Sequence, residues 1–101
     1  MHKRILERKG RIYYDRLGIA HKHQANNLTQ IKGIGLWIEE RLNLLEIYTF
    51  DQISKLTPAD IETITEILEI DPGRIERDNW VGQARDLSRK VNVQSITADQ
   101  F

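Results

Sequence analysis

The sequence predicts an all-α domain of about five short helices. Three observations carry that expectation: apolar side chains recur at helical spacing in separate segments, helix-start signals stand ahead of those segments, and turn-forming residues interrupt them. Strand signals are weak, and the one β-rich run, Val91 to Thr97, has no second run to pair with. At 101 residues the chain is the size of one domain, so a two-domain enzyme with an interdomain cleft is not expected. A composition of 40% hydrophobic and 30% charged residues, with a mean hydropathy of −0.52, suits a small helical domain that buries a modest core.

The elements follow in order. Residues 1–25 hold Gly10 and Gly18 and only a broken apolar rhythm of Ile5, Leu6, Ile12, Tyr13 and Leu17. They read as a basic N-terminal arm or linker, either a frayed helix or a docked arm. From Asn26 to Lys90 the punctuation becomes regular, and these residues read as the folded domain. Asn27 with Gln30, and Thr49 with Gln52, have capping-box spacing, while Thr57-Pro58-Ala59-Asp60 combines a cap, a proline at the first helical position and an acid in the first turn. Helices are expected to start at all three. Ile38, Leu42 and Leu45, and then Ile61, Ile64 and Leu68, supply one apolar stripe each. Asp71-Pro72-Gly73 breaks the pattern, after which Trp80, Ala84, Leu87 and Val91 predict a closing helix from about Asp78 to Lys90. Residues 91–101 lack periodicity and read as a flexible tail.

Composition bounds the function. No stretch approaches the roughly 18 uncharged apolar residues of a membrane span, and no apolar signal core stands at the N-terminus. With no cysteine, disulfides, thiolate metal sites and cysteine nucleophiles are excluded. The simplest expectation is a cytoplasmic protein without a membrane partner. The formal charge is zero, but it is unevenly spread. Residues 1–25 carry seven basic and two acidic side chains, residues 26–73 three and nine, and residues 74–101 five and four, giving +5, −6 and +1. A basic arm bearing Tyr13 and Tyr14 either tracks a nucleic-acid backbone or docks on the acidic middle of its own chain or a neighbour.

One segment carries a motif. In Lys32-Gly33-Ile34-Gly35, two glycines around one aliphatic residue permit a turn with positive φ, place Ile34 in the core and leave backbone N–H groups uncovered at a helix start. That arrangement suits a phosphate oxygen, and equally a tight turn that binds nothing. The surrounding "LTQIKGIGLWIEERLN" resembles a helix-hairpin-helix motif, and "IYTFDQISKLTPADIETI" looks like the second, degenerate hairpin that follows it in paired domains. "PGRIERDNWVGQARDL" is similar to the terminal helix of one family of such domains, and "IYYDRLG" to a segment leading into some of them. These domains resemble the helical DNA-binding portion of flap endonucleases, and occur alone or as C-terminal extensions of proteins that include a respiratory NADH dehydrogenase subunit and a large-subunit ribosomal protein.

The resemblance spans about residues 26–90. It implies a tandem, SAM-like helix-hairpin-helix fold that binds DNA, or RNA, by its backbone and without sequence preference. Gly33, Ile34 and Gly35 then form the hairpin, with Lys32 beside it and Arg74 adding attraction. Related DNA-binding hairpins often carry Pro-Lys after the second glycine, whereas this chain has Leu36-Trp37, followed by Glu39 and Glu40. If exposed, each carboxylate opposes a phosphate by about 1 kcal/mol at low salt. Trp37 is either a boundary residue or an exposed aromatic, and with Leu36 it defines the alternative, a protein-interaction or scaffolding surface. Trp80 reads as core.

Arg74, Arg77, Arg85, Arg89 and Lys90 form either a solvated face with local ion pairs or a phosphate track. Within "GRIERD", Arg77 is the favoured brace of the preceding loop. His21 and His23 lack a third patterned ligand, and Glu62, Glu66 and Glu69 have the spacing of a solvated helix face. No G-x-S-x-G, Walker A or H-E-x-x-H string occurs, so neither an enzyme, a metal site nor a cofactor is expected.

Overall fold

A computed structural model describes residues 12–99, with the side chains of residues 12–91. Expectations that fall on residues 1–11, including the basic side chains from Lys3 to Arg11, and on residues 100–101 lie outside the described residues. Among the described residues the fold is all-helical, with six α-helices: α1 Tyr14–Leu17, α2 Leu36–Leu44, α3 Phe50–Ser54, α4 Pro58–Leu68, α5 Arg74–Arg77 and α6 Trp80–Asp99. Single 3-10 turns at Lys22–Gln24 and Leu28–Gln30 link α1 to α2.

Local chemistry explains most boundaries. Thr49 opens α3 and Thr57 opens α4, each in a reciprocal capping box with Gln52 and Asp60, and Pro58 takes the first turn of α4. Asn27 behaves differently. Its side chain accepts the Thr29 N–H at 3.2 Å, yet it starts only the turn Leu28–Gln30, so the α-helix expected there is absent. Ile31 then leaves helical geometry, and the next helix begins after Gly35. The last helix runs to Asp99 instead of stopping near Lys90. No glycine or proline lies between Val91 and Asp99, so nothing in the backbone chemistry ends it earlier.

The stripes read from the sequence converge on one core. Ile38, Leu42, Leu45, Ile64, Leu68, Trp80 and Ala84 are buried, while Val91 at the far end of the closing stripe is 39% exposed. The first hairpin contributes Leu28, Ile31 and Ile34, and the second contributes Phe50, Ile53 and Leu56. Helix α6 closes the domain by packing along α3 and against α5.

Part of the N-terminal arm belongs to this core. Ile12 and Leu17 are buried, and α1 packs on α3. The Tyr14 hydroxyl donates to the Leu45 carbonyl, Gln52 Nε2 donates to the Gly18 carbonyl at 2.9 Å, and the Arg16 guanidinium makes a two-point ion pair with Asp60. Residues 12–18 are thus docked, and on the acidic part of the chain.

Tyr14 makes this docking pH-dependent. Burial first, then the charges of Glu46 and Tyr48, push its phenol from the ordinary 10.0 up to about 12. The folded state holds the proton more tightly, so this contribution is complete below pH 10 and is lost as the pH rises towards 12. Urea midpoints measured against pH are expected to fall across that window in the parent and to fall less steeply in Tyr14→Phe. At neutral pH the variant is expected to be about 1 kcal/mol less stable, from the lost hydrogen bond.

Candidate nucleic-acid interface at the first hairpin

The turn between Leu28–Gln30 and α2 is fixed from below by residues far along the chain. Gly33 has φ +105, a conformation that disfavours a side chain. A β-carbon there would lie 2.3 Å from Asp78 Oδ2 and 2.9 Å from Trp80 Nε1. The Gly33 carbonyl accepts from the Arg74 guanidinium at 3.0 Å, and Arg74 also faces Asp78 at 3.7 Å. Gln83 grips the preceding residue by both backbone groups, accepting the Lys32 N–H at 2.8 Å and donating to the Lys32 carbonyl at 3.1 Å. Ile34 is buried and its N–H returns to Ile31 at 3.0 Å.

What remains outward is a set of amides. Gly35 caps α2 in an extended conformation, no side chain caps that helix start, and nothing lies within 4 Å of where a Gly35 β-carbon would be. Among the described residues, the N–H groups of Gly33, Gly35, Leu36 and Trp37 meet no protein acceptor. Helix α2 places the positive end of its dipole behind them. The Lys32 side chain is exposed beside this opening. An anion's oxygens are the chemistry such an opening accepts.

The flanking side chains divide. Glu39 turns back to accept the Leu28 N–H at 2.8 Å, so it supports the start of the preceding turn, while Glu40 is exposed. Leu36 is 77% exposed and Trp37 47% exposed. Trp37 is therefore not a core residue. One face of its ring lies on the buried Arg41 guanidinium, 3.6 Å from the ring centroid. Leu36 and Leu44 line a cleft together with Lys22, Asn43 and Tyr48.

Arg74 is committed to holding the hairpin, through its bond to the Gly33 carbonyl. Arg77, Arg85, Arg89 and Lys90 are exposed. The rings of His21 and His23 stack at 5.8 Å. Among the described residues, no group of three or more His, Asp or Glu side chains could hold a metal ion, and no helix is long and apolar enough to cross a membrane.

Sequence reasoning missed three contributors to this site: Gln83, Asp78 and the Trp80 indole N–H. Gln83 lies 51 residues from Lys32. Nothing in a glutamine on an amphipathic helix marks it as a clamp on a distant backbone. The glycine pair signalled the turn, but its support comes from tertiary packing.

Comparison with known proteins places these features in a wider set. The family model for the RS2/RL21/YNQ2 HHH (helix-hairpin-helix) domain matches residues 28–88. An uncharacterized 22.9 kDa protein in the nqo2 3′ region of Paracoccus denitrificans is 43% identical over 61 residues, covering 60% of this chain and 28% of that protein. Large ribosomal subunit protein bL21 of Hyphomonas neptunium is 42% identical over 66 residues, 65% of this chain and 32% of the relative. Small ribosomal subunit protein uS2 of Methylobacterium nodulans is 38% identical over 60 residues, 59% and 17% of the respective lengths. The chain thus spans less than a third of each of these relatives. No solved structure matches it.

Proposed function

Because the chain belongs to the RS2/RL21/YNQ2 helix-hairpin-helix domain family, we propose that it works as a non-catalytic module binding nucleic-acid backbone without sequence preference. The observation that carries this reading is the set of amides of Gly33, Gly35, Leu36 and Trp37, which meet no acceptor among the described residues, at the uncapped start of α2. Gly33 and Gly35 present N–H groups to a phosphate, Lys32 adds a mobile positive charge, and Ile34 anchors the turn in the core. Arg74 acts through Gly33, which it holds in place, and its half-exposed guanidinium adds charge behind the turn. RNA is favoured over DNA, because relatives carrying this domain are named as ribosomal subunit proteins and a ribosomal subunit is an assembly of RNA and protein. A cytoplasmic location accompanies this reading.

The test is a titration of single-stranded RNA, duplex RNA and duplex DNA against the full chain at several salt concentrations. With two to four phosphate contacts, log K against log salt is expected to fall with a slope of about −2 to −4. Gly35→Ala is expected to weaken binding while the helical circular dichroism is retained. Lack of binding to all three probes at about 50 mM salt would sink the proposal.

A second reading has its own observation. Leu36 and Trp37 stand exposed beside the hairpin, as anchors of a protein interface do. Trp37→Ala is expected to leave nucleic-acid binding intact and abolish association with a protein partner if this surface is the functional one.

A further inference from the structure

We propose that the open face of the Trp37 indole is a stacking platform for one unpaired base, so that the module takes single-stranded RNA in preference to a duplex. The proposal rests on the hairpin reading for the phosphate that accompanies this base, and it adds the part of the nucleotide that the amides do not touch.

The protein itself holds the ring from one side. Arg41, one turn further along α2, is buried and lays its guanidinium 3.6 Å from the ring centroid, while its Nη1 donates to the Trp37 carbonyl at 3.4 Å. A guanidinium plane stacks on an indole through cation–π attraction. Because the arginine is fixed in the fold, the ring above it is fixed as well, and its rotamer freedom is lost during folding rather than on binding. With that face covered, the 47% exposure of Trp37 leaves the opposite face as a flat apolar surface of set orientation.

A flat, fixed surface is what a base needs. Every base has a π face, so stacking tolerates any sequence, in keeping with a module that does not read one. In a duplex both faces of each base are covered by its neighbours, and only an unpaired base is free to stack on a protein ring. The place of the ring adds a second condition. The Trp37 N–H belongs to the outward set of amides, so donors for an anion and a π face stand on the same residue. A nucleotide carries its phosphate and its base one sugar apart and meets both. An apolar protein side chain that covered the ring would supply no anion of its own to those amides. Leu36, 77% exposed, extends the apolar surface beside the ring.

Three probes test this on the full chain at about 50 mM salt: a single strand of about ten adenylates, an abasic single strand of the same length, and an RNA duplex. The parent is expected to bind the adenylate strand about ten-fold more tightly than the abasic one, and Trp37→Ala to lose that difference. Trp37→Tyr should recover most of it, and duplex affinity should be the same in the parent and both variants. Equal binding of the adenylate and abasic strands by the parent would overturn the proposal, and that comparison needs no variant to fold. So would an equal loss on strand and duplex in Trp37→Ala, which would make the ring a support of the turn. Unchanged binding of every probe in Trp37→Ala would also overturn it and assign the ring to a protein partner. The hairpin reading is scored separately. It stands whenever the parent binds a probe and Gly35→Ala weakens that binding, whatever Trp37 contributes, and both readings fall if the parent binds none.

Discussion

Gly33→Ala is expected to cost the domain about 3 kcal/mol or more of stability, measured as a shift of its urea unfolding curve. Two separate costs add. At φ +105 an L side chain strains the backbone by about 1–2 kcal/mol. The new methyl also lands 2.3 Å from Asp78 Oδ2 and 2.9 Å from the indole nitrogen of Trp80, and overpacking of this kind costs about 1–3 kcal/mol. Neither neighbour can retreat easily. Trp80 is completely buried, and Asp78 faces the guanidinium that holds the Gly33 carbonyl. Adding Asp78→Ala to Gly33→Ala should recover the part due to crowding and leave the backbone strain. A loss below about 1 kcal/mol would mean that the turn can adopt another conformation.

The two glycines of the hairpin therefore have different work. Gly35 has ordinary extended geometry and open space around it, so Gly35→Ala should lower stability by at most about 1 kcal/mol, the difference expected at a helix cap. Loss of binding in Gly33→Ala cannot be separated from loss of the fold, whereas loss of binding in Gly35→Ala reports on the outward face of the turn. A glycine-to-alanine comparison at the two positions separates what shapes the hairpin from what the hairpin offers.

The features that were legible in the sequence are those written in adjacent residues. Thr49 with Gln52 and Thr57 with Asp60 cap the helices they announce, because both partners of each box lie within one turn. The stripes at Ile38, Leu42 and Leu45 and at Ile61, Ile64 and Leu68 are buried because helical periodicity is itself a local quantity. The hairpin was legible as a turn through its glycines and as a family feature through the surrounding pattern. Asn27 misled, since a cap residue signals a helix start without saying whether the helix propagates, and here the chain must turn at Ile31 to enter the hairpin. Long-range chemistry was not legible. Arg74 is bonded to Gly33 across 41 residues and Gln83 to Lys32 across 51, and neither a charge count nor a spacing rule selects them over Arg77 or Gln94. Trp37 fell between two readings because the residue beneath its ring is an arginine, a type that apolar patterning ignores.

Asp60→Ala is expected to cost about 3 kcal/mol and to release α1 from the domain. The Asp60 carboxylate is almost fully buried and serves two structures at once. It accepts the Thr57 N–H at 2.8 Å and the Thr57 hydroxyl at 3.0 Å, closing the capping box of α4, a contribution of about 1 kcal/mol. It also accepts two guanidinium hydrogen bonds from Arg16, the longer at 2.8 Å, and charge-assisted bonds of this kind contribute about 1.5–3 kcal/mol. Hydrogen exchange should then show residues 13–18 losing protection while the core around Trp80 keeps it. A double-mutant cycle with Arg16→Ala should return a coupling of about 1–3 kcal/mol, since the two side chains touch.

The same pair sets an acid limit on the docking. The Arg16 hydrogen bonds, aided by those from Thr57, hold the Asp60 carboxyl below its ordinary value of 3.8, with burial acting in the opposite direction. A lowered value means that the folded state favours the charged form. The contribution is therefore present above about pH 4 and is lost as the pH falls through the depressed value. The stability gap between the parent and Asp60→Asn should be widest near neutrality and close in acid. An equal gap at pH 7 and pH 2.5 would mean that shape, not charge, is what Asp60 contributes. Closure of the gap with release of residues 13–18 ahead of the core would make Asp60 the latch between the N-terminal segment and the helix-hairpin-helix domain.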